Sequence, residues 1–206
     1  MQGKGAERKR KKTREDRERE LRDHQMEWLV RATPTLLFGP PPKQRDDALY
    51  LTLCCGVTDI LNLCPESDKY ARAYERHYED LDDARPAFRY DPLPADKSEK
   101  TLLDTVKRLA NLLTAEKGRV WYVHATTGFD EEAYVALLAW LKSDPKTFPP
   151  DISVWLEENR YRRVLHQQEQ RDLLNSMIEK VRSTQNALMS SWVIKKPRLA
   201  VPELNK

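Results

Sequence analysis

Apolar positions along the chain fall into short patterned runs separated by polar stretches. Over residues 99–115 they sit at Leu102, Leu103, Val106, Leu109, Ala110 and Leu113, a helical spacing that predicts an amphipathic helix. Gly118 stands where that helix should end. Val120-Trp121-Tyr122-Val123 follows, a β-prone and mostly apolar run, short enough for a buried parallel strand. After a turn containing Gly128, a helix is expected from Glu131 through Trp140 to Lys142.

Earlier in the chain, Thr35-Leu36-Leu37-Phe38 reads as a short strand closed by Gly39 and the prolines Pro40 to Pro42. Residues 44–53 read as a helix, and the run from Gly56 to Cys64 as a turn and a strand stopped at Pro65. Residues 66–83 are charged and Tyr-rich, suited to loop and short helix, and Phe88-Arg89-Tyr90 suits a brief strand. One or two amphipathic helices are expected over 151–185, and an irregular tail after Trp192, where Pro197 and Pro202 fall. The alternation of strands and helices predicts one α/β domain over 34–185, with a central, mostly parallel sheet of four or five strands flanked by helices. Residues 120–123 should be interior. Residues 1–33 are then an N-terminal arm or helix, and 186–206 a C-terminal tail.

Charge changes the picture only at the N-terminus. Residues 1–23 carry ten cations and six anions, +4, leaving the remainder of the chain at −1. That block has too little apolar surface to order itself. From Arg14 onward opposite charges stand four apart (Arg14 and Glu18, Glu15 and Arg19), which supports an exposed helix continuing through Met26, Trp28 and Leu29 to the break at Pro34. No run of about 18 apolar residues is present, so no membrane span is expected. The acids among the first residues do not fit a transit peptide, and the absence of an apolar leader does not fit a secretory signal. Cys54, Cys55 and Cys64 are too few and too close for a disulfide framework, have no zinc spacing, and are assigned to core packing, which fits a reducing compartment. Core is also the default for Trp121, Trp140 and Trp155. No nucleotide-binding glycine loop, HExxH or GxSxG occurs, so no cofactor and no metal are expected.

In a parallel sheet ligands collect beyond the carboxyl ends of the strands, which directs attention to Val123-His124-Ala125-Thr126-Thr127-Gly128-Phe129-Asp130-Glu131-Glu132. This stretch resembles the phosphate-binding loop of the dual-specificity (protein tyrosine) phosphatase superfamily, V-H-C-x-x-G-x-x-R-S/T. Val123, His124 and Gly128 match it. Ala125 stands at the nucleophilic Cys, Glu131 at the phosphate-binding Arg, and Glu132 at the hydroxyl residue. Leu36-Leu37-Phe38-Gly39 is similar to the family's opening strand, and Gly56-Val57-Thr58-Asp59-Ile60-Leu61-Asn62-Leu63 to its "G-I-T-H-V-L-N-L" strand. Leu93-Pro94-Ala95-Asp96 falls where the family has its general-acid loop, and Arg160 or Arg162 where it has a later arginine.

The resemblance implies a phosphatase fold without the chemistry. A methyl group at 125 cannot attack phosphorus, which takes a thiolate. A carboxylate at 131 replaces the fork that would hold phosphoryl oxygens. Asp130, Glu131 and Glu132 can instead occupy the helix N-terminus themselves. They are equally ordinary first-turn carboxylates of any α/β fold. His124 is then a loop-orienting or structural histidine, and Asp96 a vestigial acid or a turn residue. Another reaction built on Asp96, His124 or Glu131 is the remaining enzymatic reading, and no spacing among them specifies one.

The expected function is a catalytically inactive, phosphatase-like structural and protein-interaction module. It would be held in a larger assembly through both tails, with no membrane and no small-molecule substrate. Lys9, Arg10, Lys11, Lys12 and Arg14 are expected to meet an acidic surface, either a microtubule lattice or RNA. Trp192, among Val193, Ile194, Leu199 and Val201, makes the C-terminal segment too apolar for a free tail, so it should lie in a groove on a neighbour or on the domain itself. A cytoplasmic location, at the cytoskeleton or cilium, is favoured. A ribosome or other ribonucleoprotein is the alternative, because the basic block lacks the interleaved aromatics of an RNA binder and the domain is near neutral.

Overall fold

The computed structural model describes residues 13–21, 23–24, 26, 29–65, 72–93, 98–125, 131–159 and 168–194; for 80–84, 131, 168, 170 and 188–194 it describes the backbone alone. Five strands form one sheet: β1 (Val30–Thr33), β2 (Leu36–Phe38), β3 (Asp59–Asn62), β4 (Ala87–Tyr90) and β5 (Trp121–His124). Their spatial order is β1-β2-β5-β3-β4, so β5 is central, as its apolar run predicts. It lies parallel to β2 on one side and to β3 on the other, β3 is parallel to β4, and β1–β2 is the one antiparallel pair. All four residues of β5 are buried.

Register assigns side chains to two faces. On one, Leu36, Phe38, Trp121, Val123 and Leu61 meet α3 (Glu99–Ala115) and α4 (Glu131–Ser143), with Leu174, Met177, Ile178 and Val181 of α6 (Gln168–Ile194) behind them. On the other, Leu37, Tyr122 and Ile60 meet α2 (Arg45–Leu49), its π-helical continuation Tyr50–Cys54, and the 3-10 helix Ala73–Ala84. Helix α4 is buried from Glu132 to Leu141, because sheet, α3 and α6 surround it, and its alanines at 133, 136 and 139 allow close approach. Helix α3 occupies the residues its periodicity predicts. Ser98 caps its start by accepting from the Thr101 N–H at 3.4 Å, and Gly118 takes the left-handed turn beyond its end, φ +83°. The short helix α5 (Ile152–Glu158) is capped by Asp151.

Several expectations need correction. The N-terminal helix does not continue to Pro34. Helix α1 (Arg14–Glu20) stops at Leu21, and Val30–Thr33 becomes an edge strand whose buried Val30 and Ala32 alternate with exposed Arg31. β-branched ends and a two-period pattern suit a strand better than a helix. The sheet therefore begins inside the segment assigned to the arm. Leu21 and Met26 are buried against the α2 side, and Asp47 at the start of α2 accepts from or pairs with His24 Nε2 at 2.9 Å. At the other end α6 runs to Ile194, past the limit set at 185, and includes Trp192. Cys54 is exposed at the end of the π turn, whereas Cys55 packs half-buried against the cluster on the α2 side and Cys64 is buried in the core. Trp121 and Trp140 are core residues, and Trp155 packs half-buried against Trp140.

Leu137, fully buried in α4, and Leu173, 40% exposed on α6, provide the direct check of this core. Leu137→Ala should cost about 2–5 kcal/mol in urea unfolding and Leu173→Ala less than about 0.5 kcal/mol.

Candidate functional site

The carboxyl ends of β2, β3 and β5 converge. The Gly39 N–H donates to the Val123 carbonyl at 3.2 Å, the Leu63 N–H to the His124 carbonyl at 2.8 Å, and the Leu93 N–H to the Leu63 carbonyl at 3.2 Å. The Tyr122 hydroxyl donates to the Pro40 carbonyl. These bonds fix the strand end from which the loop departs. His124 and Ala125 point to opposite faces, as successive strand residues do. Ala125, 3% exposed, belongs to the apolar cluster with Val123, Leu63 and Ala133. His124 is fully buried on the other side, its ring edge-on to Tyr74 with centroids 4.7 Å apart. Its Nδ1 lies 3.9 Å from Cys64 Sγ, and its Nε2 meets no hydrogen-bond partner among the described residues.

Burial dominates the electrostatics there. It pushes the His124 imidazole down to about 3, against the opposing pull of a hydrogen bond with the Ala125 backbone. It also pushes the Tyr74 and Tyr78 phenols well above their ordinary range. The imidazole is thus neutral, and a proton relay through His124 near pH 7 would have to charge a group that burial keeps uncharged. Glu132, 1% exposed, is buried in the first turn of α4.

Of the residues singled out in the sequence, His124 ends β5, Ala125 follows it, and the backbone of Glu131 opens α4. Gly128 and Asp130 lie outside the described residues, as do Asp96, Arg160, Arg162, Lys9, Arg10, Lys11 and Lys12. Arg14 is in α1 and pairs with Glu18 at 2.7 Å, the contact its four-residue spacing predicts. Trp192 is in the last turn of α6, remote in sequence from these elements. Among the described residues no group of three His, Cys, Asp or Glu is placed to hold a metal ion, and no helix is long and apolar enough to cross a membrane.

Sequence reasoning missed a charged network at the opposite end of β3. Asp59 is fully buried, accepts from the Thr58 hydroxyl at 2.8 Å, and pairs with Arg119 at 3.4 Å and Arg89 at 3.6 Å. Arg89 also grips Glu116 at 2.7 Å and lies 4.8 Å from the centroid of the Trp121 ring. The four charges come from β3, β4 and the segment between α3 and β5, so only the sheet register could have united them.

No protein-family model and no curated protein matches the chain. Among solved structures, a crystal structure of Tk-PTP, a protein tyrosine phosphatase, in a mutant form aligns with a TM-score of 0.51. The match covers 75% of this chain and 98% of that one at 15% identity. The fold is phosphatase-like. It is a single α/β domain, with the five-stranded, mostly parallel sheet that the alternation of elements predicts. At that identity the likeness speaks for the fold and not for an activity.

The buried imidazole has a measurable consequence. In the unfolded chain His124 protonates near its ordinary value of about 6.5; in the native protein it stays neutral down to about 3. Between those values the unfolded state binds the extra proton, so stability falls as pH falls, by on the order of 1 kcal/mol per pH unit from this residue. Urea unfolding of the protein and of a His124→Asn variant at pH 7.0, 5.5 and 4.5 should therefore converge in acid. Parallel curves would mean that the native imidazole titrates normally.

Proposed function

We propose that the chain is a catalytically inactive phosphatase-like domain that serves as a structural and protein-interaction module of a larger assembly. The observation that carries this reading is Ala125. At the place where the phosphatase loop needs a solvent-reachable thiolate, the chain has a methyl group packed into the core of the sheet. Glu131 at the place of the phosphate-binding Arg supports it further. A phosphate dianion ~4 Å from one carboxylate meets a repulsion of about 1 kcal/mol per charge pair in water, and several-fold more in a closed pocket. Glu132, buried in the first turn of α4, puts a carboxylate where the helix dipole would otherwise favour a phosphate.

The partner is proposed to be an acidic protein lattice of the cytoskeletal or ciliary type, met by the basic block that includes Lys9 to Lys12. The near-neutral balance of the rest of the chain, −1 over residues 24–206, favours this over a ribonucleoprotein.

Purified protein should release no phosphate from an aryl phosphate or a phosphotyrosine peptide above a buffer blank. Ala125→Cys alone should restore none, because residues that act as one catalytic unit are not replaced singly. Turnover by the unmodified chain would overturn the inactive reading. The same preparation should pellet with stabilised microtubules, less so as salt rises and less when Lys9, Lys11 and Lys12 are changed to Glu. Failure to pellet, with salt-dependent retention of RNA, would transfer the assignment to the ribonucleoprotein alternative.

A further inference from the structure

The phosphatase-like loop leaves the carboxyl end of the sheet. A cavity of about 550 Å³ lies at the other end, between the β1–β2 turn and the last turns of α3 and α4. Ala32, Leu36, Leu113 and the Trp140 indole make its floor apolar, and Pro34 stands at its edge. The indole meets Phe148 and Trp155 edge-on, with centroids 5.2 and 5.4 Å away, so the floor extends an aromatic cluster. An apolar hollow of this volume with a few polar groups at its rim has the form of a small-molecule site.

The hydrogen bonds at the rim decide what such a molecule must bring. At the end of α4 the Trp140 carbonyl accepts from the Asp144 N–H at 2.8 Å and the Ser143 hydroxyl at 3.2 Å. The next two carbonyls, of Leu141 and Lys142, accept from Gln185 Nε2 at 3.3 and 3.2 Å. In the last turns of α3 the Ala110 carbonyl accepts from the Thr114 hydroxyl and the Leu112 carbonyl from the Glu116 N–H. The helix ends thus have internal donors. Arg31 Nη1 stands on the Pro34 carbonyl at 2.9 Å and brings a cation to the turn. The Asp144 carboxylate accepts from Thr147 Oγ1 at 2.8 Å, which itself accepts from Trp140 Nε1 at 2.9 Å.

Donors remain. Thr33 Oγ1 accepts from the Thr35 N–H at 3.2 Å and lies 3.3 Å from Thr35 Oγ1. Only one of those two hydroxyls donates in their contact, so the other keeps a proton for an outside acceptor. The exposed Lys117 brings an ammonium with three N–H groups and has no ion pair among the described residues. Around this mouth the two cations, Lys117 and Arg31, outnumber the one carboxylate of Asp144. A cationic ligand would meet both. A phosphate dianion would double the repulsion that a monoanion meets from Asp144.

We propose that this cavity binds a small aromatic monocarboxylate. Its ring lies on the floor beside Trp140, where aromatic pairing adds to apolar burial. Its carboxylate sits at the rim, on the Lys117 ammonium and the remaining hydroxyl proton of the Thr33–Thr35 pair. The inference uses the end of the sheet away from His124 and does not depend on the phosphatase-like loop being inactive.

The test follows the tryptophan indole N–H signals of the full-length, nitrogen-15-labelled protein by NMR, with the Trp140 signal assigned as the one lost in Trp140→Phe. The probes are 3-phenylpropionate and its neutral amide, 3-phenylpropanamide, each titrated into the millimolar range at matched ionic strength. The acid should move the Trp140 signal saturably, and the amide should bind at least about threefold more weakly. Lys117→Met should weaken the acid by a similar factor and leave the amide unchanged, with the other indole signals in place as the control for folding. A Trp140 signal that does not respond to the acid would overturn the proposal. Equal affinity for acid and amide would also overturn it, because the cavity would then be an apolar hollow without a carboxylate seat, and so would an acid affinity that Lys117→Met leaves untouched. Should Lys117→Met disturb the turn before β5, the comparison of acid with amide on the unaltered protein decides alone.

Discussion

Everything in this structure depends on one strand buried on both faces. β5 is short, yet Trp121 and Val123 hold the α3–α4 layer to it, while Tyr122 and His124 hold the layer of α2, the π turn and the 3-10 helix. A strand so placed can carry polar atoms only where the fold can tolerate them. Tyr122 meets this by donating to the Pro40 carbonyl. His124 meets it by remaining neutral, edge-on to Tyr74 and in reach of Cys64. The next residue turns toward the other layer, and there the chain has Ala125, packed with Leu63 and Ala133.

Much of this was legible in the sequence, and the reasons differ by element. Helix α3 was readable because its apolar residues keep one period and Gly118 marks its end. β5 was readable because a run of four bulky residues after a glycine has few other uses. β1 was not. Val30–Thr33 follows a charged helix, and its pairing with β2 rests on long-range register, which no local pattern announces. The end of α6 was misread because Pro197 and Pro202 made the whole tail look irregular, whereas the helix runs up to Ile194 before the first of them. Cys54 was misread because a free cysteine is usually buried, and this one stands exposed at the end of the π turn. In the site, the strand and helix patterns placed Ala125 just after a buried strand and Glu131 at the start of a helix, where the structure has them. The Cys64–His124–Tyr74 cluster and the Asp59 network needed the sheet.

The two ends of the sheet now have different characters. At the carboxyl end, Ala125 joins the apolar core and His124 is buried and neutral. At the other end, Asp59, Arg89, Arg119 and Glu116 form a tied network at β3 and β4, and an open apolar cavity lies beside β1 and β2. A phosphatase-like frame does not by itself carry phosphatase chemistry, because function resides in the site and not in the fold.

The central claim, that the loop after β5 has lost its oxyanion site, is tested most directly by thermal unfolding in the presence of vanadate, sulfate and phosphate at millimolar concentration. A ligand that binds only the native state adds about 2.7 kcal/mol of stability at ~100 times its dissociation constant, so even modest affinity would register. The account predicts a midpoint that does not respond to any of the three beyond the effect of matched ionic strength. A saturable rise with vanadate that disappears on Thr126→Asp would contradict it, and would mean that the loop still cradles an oxyanion.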